Sequence, residues 1–212
     1  MLEDIDISKY LMRGYWIFRR IIPASLLRDL RCQADIARSL AHEINGPQAQ
    51  RIQPLNKFSD KLDLQPFKDY AELADLRDAI ESLLGPGYTH AHLNIMGLLV
   101  EPLEHPWHCG WHRDGVVEVP IRDRNPAMNA AMKEFWHDLR VFNQVNCALY
   151  ADSSTWFVPG SHLRTFDEPG EIESTGRSDM QIPPGSMSSA EAERYYLDHC
   201  LSMPNAEPIH LF

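Results

Sequence analysis

The chain reads as an α+β domain built on an antiparallel sandwich, and three observations lead there. Helical periodicity dominates the first part of the chain, strand-like and turn-rich composition follows it, and no internal repeat or linker interrupts the order. With 212 residues, 44% of them hydrophobic, the length suits a single domain over residues 1–212 with a real core.

Residues 22–44 predict a long helix: Pro23 and Ser25 stand at its start, and Leu26, Leu27, Leu30, Ala34, Ala37 and Leu40 recur at helical spacing. A second helix is predicted from Pro66 to Leu84, with Leu73, Leu76, Ile80 and Leu83 on one stripe and Gly85-Pro86-Gly87 as its stop. Thr89 to Val100 is strand-like. After the Pro-, Gly- and His-rich stretch Pro102–Gly115, Asn125 followed by Pro126 predicts the start of a short helix. Residues 141–150 form the clearest predicted strand. Alternation puts Val141, Asn143, Val145, Cys147 and Leu149 on one face, and Phe142, Gln144, Asn146 and Tyr150 on the other. Trp156-Phe157-Val158 is a second short strand, cut by the turn Pro159-Gly160-Ser161-His162. Residues 167–187 read as a surface loop, and Ser188-x-x-Glu191 is a capping box opening a late helix. Asp198-His199 reads as a solvated turn on that helix, and Pro208–Phe212, with His210, as another strand.

Twenty Lys and Arg against thirty Asp and Glu leave a net charge of −10, a field that repels phosphate backbones and anionic headgroups and argues against a nucleic-acid or membrane partner. No apolar run approaches the ~18–20 residues that cross a bilayer, and the start of the chain is acidic where a signal peptide is basic and then apolar. Cys32, Cys109, Cys147 and Cys200 form no short-spaced pair, which fits reduced thiols. The expectation is a soluble cytoplasmic protein.

The densest chemical signal is His105-Pro-Trp107-His108-Cys109-Gly-Trp111-His112-Arg-Asp114-Gly. In an extended segment residues two apart share a face, so His112 and Asp114 can reach one metal ion while Arg113 points away. An imidazole and a carboxylate are two of the three protein ligands in the facial triad of non-haem Fe(II). The plainer alternative is a strand-end histidine hydrogen-bonded to a nearby carboxylate. A zinc site from His108, Cys109 and His112, with His105 in reserve, is a further alternative, although neither H-E-x-x-H nor C-x-x-C is present. Ser161-His162 lacks the G-x-S-x-G elbow of a hydrolase and reads as a turn with a structural histidine.

His112-x-Asp114, followed by the strand-like Asn146–Tyr150 and then Val158-Pro-Gly-Ser-His162, resembles the phytanoyl-CoA dioxygenase family of Fe(II)/2-oxoglutarate oxygenases. The resemblance runs from about Gly14 to Phe212. It implies a double-stranded β-helix (a cupin-like jelly roll) with flanking N-terminal helices, and Fe(II), 2-oxoglutarate and O2 acting on a small organic substrate. His112 and Asp114 match the first two iron ligands. Lys57, in Asn56-Lys57-Phe58-Ser59-Asp60, matches a lysine that assists 2-oxoglutarate binding, and Met96 a methionine beside the cosubstrate. Asn146 falls where many members place a residue, often Trp, that faces it; Trp107, Trp111 and residues 115–140 are candidate substrate walls. The family's distal histidine ligand and its 2-oxoglutarate-binding arginine find no match up to Phe212, so the expectation is a chain that stops before the closing C-terminal strands. The competing readings are a non-catalytic binding module on the same jelly roll and a zinc-dependent hydrolase using His108 and His112.

Overall fold

The computed structural model describes residues 5–88, 90–104, 107–112, 127, 130, 140, 143–164, 167–172 and 188–211. Among the described residues, the complete helices are α1 (Ile7–Arg13), α2 (Ala24–Asn45), α3 (Gln65–Ala71), α4 (Ala74–Leu84) and α5 (Ser189–Leu201), and the strands β1 (Arg51–Ile52), β2 (Leu98–Leu99), β3 (Asp152–Phe157) and β4 (Glu207–Leu211). Short 3-10 turns occupy Leu55–Phe58 and Ser161–Leu163. Among the described residues helix and strand are mixed, with two small antiparallel sheets, β1–β2 and β3–β4. The chain divides into two compact units, one containing Ile17–Trp107 and the other Asp6–Trp16 with His108–Phe212. Among the described residues no helix is long and apolar enough to cross a membrane.

In the first unit α2 matches its predicted span to within two residues, starting after Pro23 and ending at Gly46, whose φ of 86° a side chain would resist. Leu30, Ala37 and Ala41 are its buried stripe, and the two alanines let α2 lie close against α3 and β1. The single helix expected over 66–84 is corrected to two, broken at Glu72 and Leu73, where Leu73 is extended at ψ 113°. The reason is geometric: at about 100° per residue, Phe67 and Leu76 would lie half a turn apart on one continuous helix. The break allows both to be buried, at 2% and 6% exposure. Leu76 and Ile80 pack with Tyr88 against Phe18, Ile21, Tyr70, Leu73 and Leu84. The strand expected over 89–100 shrinks to β2, which pairs with β1 in the register Arg51↔Leu99 and Ile52↔Leu98. Ahead of it the chain turns back on itself, the amides of Ile95 and Met96 both reaching the His92 carbonyl at 2.9 Å.

In the second unit the strand expected over 141–150 is corrected: residues 141 and 142 lie outside the described residues and 143–150 form no strand. The short strand expected at Trp156–Val158 is present in part, as the Trp156-Phe157 end of β3, which begins at Asp152. Strand position follows the partner. β4 offers Ile209, Pro208 and Glu207 opposite Thr155, Trp156 and Phe157, and Leu211 opposite Asp152 after an irregularity. The Asp152 carboxylate fills that irregularity by accepting from the Ser154 amide (2.9 Å), the Ser154 hydroxyl (2.6 Å) and the Thr155 hydroxyl (3.2 Å). The predicted capping box is present: the Ser188 hydroxyl accepts from the Glu191 amide at 3.3 Å while the Glu191 carboxylate accepts from the Ser188 amide at 2.8 Å. Helix α5 is tied to β3 by the Tyr196 hydroxyl, which donates to the Ser154 carbonyl at 2.7 Å. His210 is an exposed residue of β4, as expected. Of the short helix expected after Asn125, Ala127 and Ala130 are described, and both are helical.

Candidate functional site

His112 stands in an isolated β-bridge, in keeping with the extended backbone expected of this segment. Its Nδ1 lies 2.7 Å from the Gly110 carbonyl oxygen and 3.5 Å from the Cys109 sulfur. A carbonyl oxygen can only accept, so this contact puts the proton on Nδ1 and the lone pair of the neutral ring on Nε2. Metal-binding histidines are commonly held this way, the second nitrogen fixing the tautomer through a backbone carbonyl. The Cys109 thiol also reaches the Gly110 carbonyl, at 3.5 Å. His112 therefore fits the chemistry of a metal ligand on its own geometry. Asp114 and His105 lie outside the described residues. Among the described residues no three His, Cys, Asp or Glu side chains group as a metal site.

The floor of this stretch is α5. The Trp111 indole donates to the His199 carbonyl at 3.3 Å, and Asp198-His199 lies within α5, so the turn is corrected to helix; Asp198 is exposed as expected, whereas His199 is half-buried. Burial pushes the His199 imidazole below its ordinary pKa, and its Nε2 is buried with no hydrogen-bond partner among the described residues. Burial also pushes the Tyr196 hydroxyl and the Cys200 thiol upward, with the neighbouring Cys109 thiol adding to both. Cys200, 2% exposed, is thus held neutral and acts as a small apolar side chain. The sequence signal that could have found this packing was the apolar spacing of Ala192, Tyr196 and Cys200 along one face of α5.

The two residues matched to the cosubstrate in the first half of the chain, Lys57 and Met96, come from stretches 39 positions apart that the fold joins. The Leu55 amide donates to the Met96 carbonyl at 2.9 Å, and the Asn56 amide to the Leu93 carbonyl at 3.2 Å. The Gln53 side-chain amide donates to the Ile95 carbonyl. Gly97 is required here, because a Cβ at that position would lie 2.8 Å from the Gln53 side chain. Lys57 is exposed on its 3-10 turn and Met96 is half-buried. Both belong to the first unit, whereas His112 and Asn146 belong to the second.

Asn146 is exposed and outside any strand, which corrects the strand-face reading of its position. The shared face survives locally: Gln144 Nε2 donates to Asn146 Oδ1 at 3.2 Å. Trp107 is half-buried, with its indole N–H buried and without a hydrogen-bond partner among the described residues. His162 has the structural role expected, its Nε2 lying 3.0 Å from the Leu11 carbonyl of α1.

Comparison of the chain with protein-family models, with curated proteins and with solved structures found no match.

Proposed function

We propose that the protein is an Fe(II)- and 2-oxoglutarate-dependent oxygenase on a double-stranded β-helix, working in the cytoplasm on a small organic substrate. The observation that carries the reading is the His112 ring in the His-x-Asp motif, pinned at Nδ1 by the Gly110 carbonyl so that Nε2 is the ligating nitrogen. Asp114 supplies the carboxylate ligand two positions on. Iron, when bound with 2-oxoglutarate and O2, supplies the oxidising chemistry that a protein side chain cannot. The chain's own share is to bind and orient. Lys57 offers an ammonium to the far carboxylate of the cosubstrate, Met96 an apolar wall, and Asn146 an amide. The backbone bonds that join the 53–58 and 92–97 stretches support a shared place for Lys57 and Met96 beside the cosubstrate. All four cysteines are free thiols, as a reducing compartment would keep them.

The test is turnover. Full-length protein loaded anaerobically with Fe(II) and then given O2 should convert 2-oxoglutarate to succinate, and His112→Ala and Asp114→Ala should each abolish the conversion, whereas residues 1–212 alone, which offer no match to the distal histidine, should bind iron weakly and not turn over. Full turnover in either variant overturns the ligand assignment. The Cys109 thiol beside the His112 imidazole favours one second reading, a zinc site with mixed sulfur and nitrogen ligands. That reading requires zinc to co-purify with the protein and predicts no response to 2-oxoglutarate.

A further inference from the structure

Helix α1 has seven residues, too few to hold itself in water, and its last turn is capped from far along the chain. The Gly14 amide closes on the Tyr10 carbonyl at 2.8 Å. The next free carbonyls go to the Pro159–Leu163 turn: the Gly160 amide donates to Arg13 at 3.0 Å, and His162 Nε2 donates to Leu11 at 3.0 Å. The imidazole lies directly on Gly14, where a Cβ would stand 2.3 Å from Nδ1. Because Nε2 carries the proton given to Leu11, Nδ1 carries the lone pair; it is buried and has no acceptor or donor opposite it among the described residues.

A second proton on this ring would have to sit at Nδ1, facing the Cα of Gly14, which accepts nothing. A buried N–H without an acceptor is strongly unfavourable, and here it would also carry charge. We propose that His162 is a proton-operated clasp: the neutral ring holds α1 on the Pro159–Leu163 turn, and protonation lets the helix go.

The charged groups around the clasp are already engaged. From α1 and the residues after it, Arg13 is paired with the Tyr15 hydroxyl and the Glu207 carboxylate of β4, and Lys9 with Asp6. From the turn's own side, Arg164 is paired with Glu171. Burial therefore dominates and holds the His162 pKa below its ordinary value, with the Leu11 carbonyl opposing. The sign follows. A histidine with a depressed folded-state pKa stabilises the closed clasp fully above its unfolded value of about 6.5, and that contribution is lost as the pH falls toward the folded value. The Asp6 carboxyl, which caps α1 at the other end, is held below the ordinary carboxylate range by the Lys9 amide and titrates in a separate, more acidic window.

Hydrogen–deuterium exchange of the full chain, corrected for intrinsic rates, tests this from pH 7.5 to pH 5. Protection over residues 7–14 should fall by up to about tenfold per pH unit below about 6.5, the slope one proton allows, while residues 24–45 of α2 hold theirs. In His162→Gln the amide can still donate to Leu11 but does not titrate, so protection should become flat. An equal acid-induced loss in His162→Gln, or none in the wild type, overturns the proposal. Should the variant fail to fold, the imidazole titration of the wild-type protein by NMR decides instead: a pKa at or above 6.5 refutes the clasp.

Discussion

Gly14→Ala and Gly160→Ala make a matched pair on the α1 clasp. Both glycines are left-handed, Gly14 at φ 87° and ψ 4°, Gly160 at φ 77° and ψ −4°, so alanine at either pays the same backbone term of roughly 1–2 kcal/mol. They differ in what the new methyl meets. At Gly160 the nearest atom is the Met12 carbonyl oxygen at 3.5 Å, an ordinary contact, and the backbone term is the whole cost. At Gly14 the methyl would stand 2.3, 2.8 and 2.9 Å from three atoms of the His162 ring, which cannot yield without giving up its bond to Leu11. Overpacking of this kind adds roughly 1–3 kcal/mol. Gly14→Ala should therefore lose about 2–5 kcal/mol in urea denaturation followed by circular dichroism, against about 1–2 for Gly160→Ala. In a His162→Ala background the excess should vanish, because the ring that causes it is gone. A difference between the two alanines below about 0.5 kcal/mol in the wild-type background would show that His162 does not rest on Gly14.

Other substitutions probe the remaining elements. Lys57→Ala should raise the KM for 2-oxoglutarate roughly 10–100-fold with little change in kcat, the value of one charge-assisted hydrogen bond; an unchanged KM returns Lys57 to a solvated surface lysine. Leu55→Ala removes a side chain of 0% exposure from the core and should cost about 2–5 kcal/mol in denaturant unfolding; a loss under about 1 kcal/mol would place Leu55 outside the core. Ser188→Ala should cost about 1 kcal/mol and fray the first turn of α5, visible as faster amide exchange over residues 189–192; unchanged exchange there would mean that the hydroxyl is not the cap.

Local signals were legible and pairings were not. The end of α2 at Gly46 and the start of α5 at Ser188 are written in single residues whose chemistry acts on their own neighbours, and both stand close to where the pattern placed them. The break between α3 and α4 is invisible to periodicity, because no Gly or Pro marks Glu72 or Leu73. It arises from the need to bury Phe67 and Leu76 together, a tertiary demand. The displaced strand teaches the same lesson more sharply. Residues 141–150 alternate as a strand should, yet 143–150 form none; β4 pairs with Trp156 and Phe157, legible as strand, and also with Thr155 and Asp152 of the polar run ahead of them, which looks like a turn. What makes that polar run a strand is the Asp152 carboxylate, which takes up the local amide and hydroxyls that would otherwise compete with the ladder.

The same division holds at the candidate site. The His-x-Asp motif names residue types and a spacing, and those alone leave the tautomer of His112 open; a ring protonated on the wrong nitrogen would present N–H where a lone pair is needed. The Gly110 carbonyl removes that ambiguity with one contact at 2.7 Å, made by a residue only two positions back. His162 shows the converse. Its carbonyl partner on Leu11 lies 151 positions away, so the sequence could mark it as structural but could not say which of its nitrogens donates. That detail decides its chemistry: the bond to Leu11 fixes the proton on Nε2, strands the lone pair of Nδ1 over Gly14, and so makes the addition of one proton incompatible with the closed helix. Two histidines each bonded to a backbone carbonyl thus do opposite work: on the proposed reading one keeps Nε2 for a metal, while the other spends it on α1.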